Sequence, residues 1–175
     1  MQAPKGPMRR ELLTWEDVDK LIDILVGQLR EAPGFDALLL ITRGGIIPGG
    51  MLAEALGIRY VLTAAVRFTD TPGTPRVAVW PEFLQFPGDG LLDGRNTLIV
   101  DDVWGSGRTS TAVRGRVEAA GGTPNTCVIH YNPYRSLFTK VKPDFFAAIT
   151  DAYIVYPWEV DRGTDYIETP PIGVG

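Results

Sequence analysis

Thr97-Leu-Ile-Val-Asp-Asp-Val-Trp-Gly-Ser-Gly-Arg-Thr-Ser110 decides the fold. Leu98, Ile99 and Val100 form an apolar run that reads as a buried strand. Asp101 and Asp102 stand where that strand is expected to end. Gly105-Ser106-Gly107 is a small-residue turn, and Thr109 and Ser110 open a helix. In that order these parts make a site for a phosphorylated sugar. N–H groups left unpaired at a helix start point outward, and the helix dipole favours an anion there. Carboxylates accept hydrogen bonds from sugar hydroxyls, a need that a phosphate alone does not create. Side chains alternate faces along a strand, so the two aspartates are expected to point to opposite faces.

The pattern extends upstream as an α/β chain. Thr14 has the character of an N-cap, and Trp15, Val18, Ile22, Leu25, Val26 and Leu29 recur at helical spacing. The expected helix covers 14–30 and stops at Pro33-Gly34. The unbroken apolar run 37–41 suits a strand covered on both faces. Thr42-Arg43-Gly44-Gly45 is a turn, Pro48 fits the first turn of the next helix, and Gly57 ends it. With a strand over 60–66, this is a βαβ unit and hence a parallel sheet. Residues 1–11 read as a loose lead-in. Residues 67–96, broken by Pro and Gly, read as an insertion with a short strand over 76–80 and a lid over about 67–85. Further strands are expected over 126–131, 145–150 and 152–156, the last ended by Pro157. Residues 161–175 read as a tail.

The 175 residues suit a single domain, and hydrophobic content of 45% with 22% charged residues is ordinary for a globular protein. A net charge of −4 argues against a nucleic-acid partner. No run is long enough to span a bilayer, and the N-terminal residues lack the apolar centre of a signal peptide. The single cysteine, Cys127, lies in an apolar run and suits a reducing cytoplasm.

The quoted stretch resembles the phosphoribosyl pyrophosphate (PRPP) signature of the type I phosphoribosyltransferases. Residues 41–50 resemble the pyrophosphate loop of the xanthine-guanine and hypoxanthine enzymes, and residues 150–159 their base-recognition segment. The resemblance implies a three-layer α/β fold, with a mainly parallel central sheet, helices on both faces and a small hood. It implies a catalytic set of Arg43, Asp101 and Asp102. It implies PRPP contacts from Thr42, Arg43, Gly44, Gly45, Asp101, Asp102, Val103, Trp104, Gly105, Ser106, Gly107, Arg108 and Thr109. Base contacts would come from Asn132, Tyr153 by stacking, Ile154 by packing and Val155 by its backbone. Mg2+ at Asp101 and Asp102, in part through water, is the implied cofactor. PRPP and a purine base are the implied partners, in a homo-oligomer.

Two positions depart from that pattern. Gly105 stands where the purine-salvage enzymes usually carry an aspartate, and Asn132 where the xanthine-guanine enzymes carry a lysine. Both bear on the base more than on the donor. Adenine or a pyrimidine as acceptor, or a non-catalytic sensor of PRPP or nucleotide, are the competing expectations. His130, at the end of the strand before Asn132, is a candidate to replace the catalytic base missing at Gly105, with a structural role as the alternative, and Tyr131 and Tyr134 are candidates for the pocket wall. Trp158 is assigned to packing, and Trp80, Phe83 and Phe86 to a subunit contact.

Overall fold

The computed structural model describes residues 9–68 and 80–162. Strand β1 (Arg10–Leu12) leads into α1 (Trp15–Glu31), β2 (Ala37–Ile41), α2 (Ile46–Leu56), β3 (Val61–Phe68) and β4 (Pro81–Gln85). After a 3-10 turn at Asp89–Leu91 come β5 (Asn96–Trp104), α3 (Arg108–Ala119), β6 (Thr123–Tyr131), β7 (Phe145–Ile149), β8 (Tyr153–Val155) and α4 (Pro157–Arg162).

Local chemistry accounts for the helix ends. At the start of α1 the Thr14 hydroxyl accepts from the Asp17 N–H at 3.1 Å, and the Asp17 carboxylate accepts from the Thr14 N–H at 2.9 Å. This reciprocal box satisfies two of the N–H groups that a helix start leaves open. Gly57 ends α2 at φ 67°, a left-handed value that suits glycine.

The main sheet runs β4-β3-β2-β5-β6-β7, parallel throughout except for β4, which pairs antiparallel with β3 at the edge. All five residues of β2 are buried, as its apolar run requires. Two cores lie on the sheet's two sides. Val18, Ile22, Leu25 and Leu29 of α1 and Leu52 of α2 pack with Leu38, Leu40, Leu98, Val100, Cys127 and Ile129. Val113 and Val117 of α3 pack with Leu39, Ile41, Ile99, Ala64 and Leu92. The expected three layers are therefore present. The small hood is a separate parallel pair, β1 with β8, in the register Arg10–Tyr153, Glu11–Ile154 and Leu12–Val155.

Four expectations need correction. Residues 10–12 are not loose lead-in: they form β1, whose partner β8 lies 143 positions away at Arg10–Tyr153 and leaves no local signal. Residues 67–96 are not one irregular insertion. Phe68 still belongs to β3, residues 81–85 form β4, and Leu92 is fully buried. Residues 69–79, with most of the strand expected over 76–80, lie outside the described residues, as do 1–8 and 163–175. Pro157 does more than end β8: it opens α4, a first-turn place where its missing N–H costs nothing. Finally β5 does not stop at Val100; it continues to Trp104, so Asp101 and Asp102 lie within the strand, and Asp101 pairs with Val128.

Replacing Leu25, which is fully buried in the α1 core, should test how much that layer contributes. Leu25→Ala is expected to cost about 2–5 kcal/mol, read as a lower urea midpoint with unchanged slope.

Candidate active site

The strand order places the site. From β2 the chain crosses through α2 to β3 on one side; β5, the other neighbour of β2, continues through α3 to β6 in the opposite direction. The carboxyl ends of β2 and β5 thus form a topological switch point, where open α/β sheets leave a crevice for ligands. Two loops meet there, residues 42–45 and 105–107.

Their contact is intimate. A Cβ on Gly44 would stand 2.5 Å from Asp102 Cγ, and one on Gly45 would overlap the Val100 carbonyl. Only glycine allows the two strand ends to come this close. The Thr42–Arg43 peptide is cis. Within this loop the Thr42 N–H and hydroxyl both turn to the Ala64 carbonyl (2.8 and 3.3 Å), and the Gly45 N–H donates to Ile41 O at 2.8 Å. The phosphate contacts expected from the Thr42 side chain and the Gly45 amide are therefore corrected, because both groups are spent on the fold. The Arg43 and Gly44 amides have no main-chain partner among the described residues, and the Arg43 side chain is exposed.

The second loop is built on Trp104. Its side chain is 1% exposed and its Nε1 donates to Ser136 Oγ at 3.3 Å, so it supports the loop from beneath and does not reach a ligand. Gly107 has φ 78°, and a Cβ there would overlap the Trp104 indole. Ser106 O accepts from Leu137 N at 3.0 Å, which ties the loop to the segment after β6. Gly105, Ser106, Gly107 and Thr109 keep their amides without a partner among the described residues, at the mouth of the twelve-residue α3. That is a cradle for an anion. The Arg108 N–H turns to Ser106 Oγ at 3.4 Å, and its guanidinium lies 4.0 Å from the Phe68 ring centroid. Val103 is half-buried and pairs with His130.

Asp101 and Asp102 carry the electrostatics. Burial pushes the Asp101 carboxyl well above the ordinary range, and the charge of Asp102 adds to this. Burial likewise raises Asp102 to about 6, with Glu159 contributing repulsion, although the Val103 N–H it accepts (2.6 Å) works the other way. Two adjacent acids that resist ionisation in a crevice favour a cation or a hydroxyl-bearing ligand. No group of three or more His, Cys, Asp or Glu side chains poised for a metal occurs among the described residues. The pair fits an ion that arrives with waters and ligand oxygens of its own, as magnesium does.

The base-contact residues fall elsewhere than expected. Asn132 is 2% exposed; its Oδ1 accepts from the Tyr134 and Arg135 N–H groups (3.2 Å each) and its Nδ2 donates to Ala152 O at 3.4 Å. The amide folds the turn after β6 and is not presented to a base. The Asn-Pro pair at that turn was the available signal, since Asn commonly caps its own turn. Val155 O accepts from Leu13 N at 2.9 Å, so its carbonyl belongs to the hood sheet, while Ile154 packs in the hydrophobic core. Tyr153 is 37% exposed with the Arg10 guanidinium 5.7 Å from its ring centroid.

The hood instead covers a cavity of about 410 Å³, lined by Arg9, Glu11, His130, Tyr134, Thr150 and Asp151 together with Ala148 and Ile149. Tyr134 is there as expected; Tyr131 instead packs on Trp104 and Phe146. Sequence reasoning missed Arg9 and Glu11, which reach the cavity only through β1. It also missed Tyr156, whose hydroxyl donates to Asp102 O at 2.9 Å and whose ring stacks on Trp158 at 4.5 Å. Trp158 packs as expected, against Tyr156 and Trp15.

Comparison with known proteins bears on the family and the fold. A phosphoribosyl transferase domain model matches residues 8–154. A purine phosphoribosyltransferase from Pyrococcus horikoshii Ot3 is 30% identical, covering 85% of this chain and 93% of that one, with a TM-score of 0.73. A xanthine-guanine-hypoxanthine phosphoribosyltransferase from Helicobacter pylori is 22% identical, over 87% of this chain and 96% of that one, with a TM-score of 0.74. A hypothetical protein from Neisseria gonorrhoeae with bound ppGpp is also 22% identical, over 93% and 96%, with a TM-score of 0.74. The last two share the fold. The chain belongs to the phosphoribosyltransferase family, and it is an enzyme of the type I fold.

Two outcomes follow from the site's geometry. Gly44→Ala should cut activity about a hundredfold or more while leaving a folded protein, because the new methyl group pushes the loop off Asp102; circular dichroism and initial rates would check this. Asp102 binds its proton more tightly folded than unfolded, so folding takes up protons between about pH 4 and 6 and stability falls as pH rises through that window. Asp102→Asn should flatten this slope in melting temperatures measured from pH 4 to 7.

Proposed function

We propose that this phosphoribosyltransferase moves the 5-phosphoribosyl group of PRPP to a ring nitrogen of a purine base, releasing pyrophosphate. The approach of the Arg43-Gly44 turn to Asp102, beside the open amides of Gly105, Ser106, Gly107 and Thr109, is the observation that carries the reading. One ligand with phosphates at two ends and hydroxyls between them matches that arrangement. The 30% identity to a purine phosphoribosyltransferase supports the purine acceptor.

In this reading the amides of Gly105, Ser106, Gly107 and Thr109 hold the 5-phosphate at the start of α3. Asp101 and Asp102 accept from the ribose hydroxyls, with Gly44 leaving room for them. The Arg43 guanidinium and the Arg43 and Gly44 amides face the pyrophosphate. The carbon–oxygen bond to pyrophosphate breaks, the electron pair leaves with it, a nitrogen–carbon bond forms at the same carbon, and the imidazole-ring proton of the base passes to water or to the departing pyrophosphate. Negative charge grows on the leaving group, where a fixed guanidinium and fixed dipoles stabilise it without reorganising. Magnesium held at Asp101 and Asp102, partly through water, supplies further charge neutralisation when bound. A homo-oligomer is supported by the exposed Trp80 (88%) and Leu84 (57%) at and beside the edge strand β4; Phe83 and Phe86 pack on each other instead. No helix among the described residues is long and apolar enough to cross a membrane, and the free, buried Cys127 suits the cytoplasm.

Pyrophosphate release from PRPP and magnesium with hypoxanthine, guanine, xanthine, adenine and uracil tests the reading. Turnover is expected with at least one of the first three, and turnover with adenine or uracil alone would reject the oxopurine acceptor. Arg43→Ala and Asp101→Asn should each lower kcat/KM by about 10²–10³-fold, whereas Trp158→Phe should lower the melting temperature and leave kcat/KM within about threefold.

A further inference from the structure

His130 is 5% exposed on β6 and lines the hood cavity. Its Nδ1 lies 2.9 Å from the Tyr156 hydroxyl oxygen. That hydroxyl has a single proton, and it is donated to the Asp102 main-chain carbonyl. The phenol oxygen therefore serves Nδ1 as an acceptor, and Nδ1 carries the imidazole proton. Nε2 is left as a bare lone pair. It has no hydrogen-bond partner among the described residues, and it is not among the fully enclosed unpaired atoms, so it opens on the cavity. Burial lowers the His130 pKa to about 4, which keeps the ring neutral.

The other charged groups around the cavity are already engaged with one another. Arg9, just before β1, pairs with Asp151 of the β7–β8 turn at 2.9 Å and approaches Glu11 of β1 at 3.6 Å. Tyr134 and Thr150 complete the polar wall. Nε2 is thus an acceptor without a protein partner among the described residues, at the edge of a space of about 410 Å³, one tyrosine away from the main chain of Asp102. A purine base fits such a space, and an acceptor at the wall of a largely buried ring gains a hydrogen bond from a ligand that brings it an N–H and excludes water.

We propose that His130 Nε2 receives a ring N–H of the acceptor base in the hood cavity, which makes His130 a specificity-determining residue. Tyr156 is its positioning residue, since it fixes the tautomer. The assignment rests on the purine-transfer reading. An oxopurine such as hypoxanthine has a ring N–H to give. A base presenting a bare ring nitrogen at that point sets lone pair against lone pair and loses the bond, the kind of mismatch that discriminates strongly.

His130 is the sole histidine of the chain, so its ring can be watched without assignment. In full-length protein labelled with nitrogen-15 histidine, the expected state is a protonated Nδ1 and a bare Nε2. Inosine monophosphate should move the Nε2 resonance, and PRPP with magnesium should leave it in place. Tyr156→Phe should mix the tautomers. His130→Phe should raise the KM for hypoxanthine roughly tenfold or more with the KM for PRPP within about twofold, and His130→Gln, whose carbonyl can accept, should recover most of the loss. A protonated Nε2 in the parent, or a parent-like KM in His130→Phe, would overturn the assignment while leaving the transfer reading intact. No pyrophosphate release by the parent with any base would overturn both. If His130→Phe does not fold, the tautomer and the nucleotide titration of the parent decide alone.

Discussion

The closeness of two strand ends governs this molecule. β2 and β5 are neighbours in the sheet, with Leu40 beside Val100, and the chain leaves them through helices that pack on opposite sides. The loops that follow must part around a crevice while their backbones nearly touch at its floor. Gly44 against the Asp102 carboxylate and Gly45 against the Val100 carbonyl are what that demands, since no side chain fits at either place. Strand order thus makes the crevice, and the two glycines keep it narrow enough for one small anionic ligand to touch both loops.

The same closeness has an electrostatic cost. Asp101 and Asp102 lie within β5, partly removed from water, and both hold their protons more tightly than free acids do. The fold tolerates this because Thr97 to Val100 and Trp104 of β5 are buried and the strand is paired on both sides. Strain of this kind gathers at sites that need it, where a ligand or cation relieves it on binding. The hood takes part in the arrangement. Tyr156 reaches from the end of β8 to the Asp102 main chain, with Trp158 stacked on its ring and Trp15 tilted against Trp158, so the aromatic wedge that joins hood to core also braces the acidic pair.

Several local features were readable in order along the chain. The helical spacing of Val18, Ile22, Leu25 and Leu29 gave α1 within a residue at each end, because a single buried stripe dictates it. The unbroken run at 37–41 gave β2, because only a strand covered on both faces has that composition. The signature loop was legible because an acidic pair, small residues and a helix start must follow one another closely to do their work. Asn132 shows the limit: its residue type fits a base contact as well as a turn, and only its partners at Tyr134, Arg135 and Ala152 decide for the turn. Trp104 shows it again, as an aromatic in a binding loop that turns inward to Ser136.

By itself, then, the amino-acid order determined the class of fold, the parallel βαβ rhythm and the two glycine-bearing loops that follow β2 and β5, since each of these depends on residues within a few positions of one another. Tertiary structure alone decided the hood cavity. Its walls come from Arg9 and Glu11 near one end of the chain and from His130, Tyr134, Thr150 and Asp151 far along it, joined by the pairing of β1 with β8. Three residues of β1 carry too little periodicity to announce a partner 143 positions away, and the proton that sets the His130 tautomer depends on a carbonyl of yet another strand. Long-range pairing and shared protons leave no pattern along a chain, because nothing local enforces them.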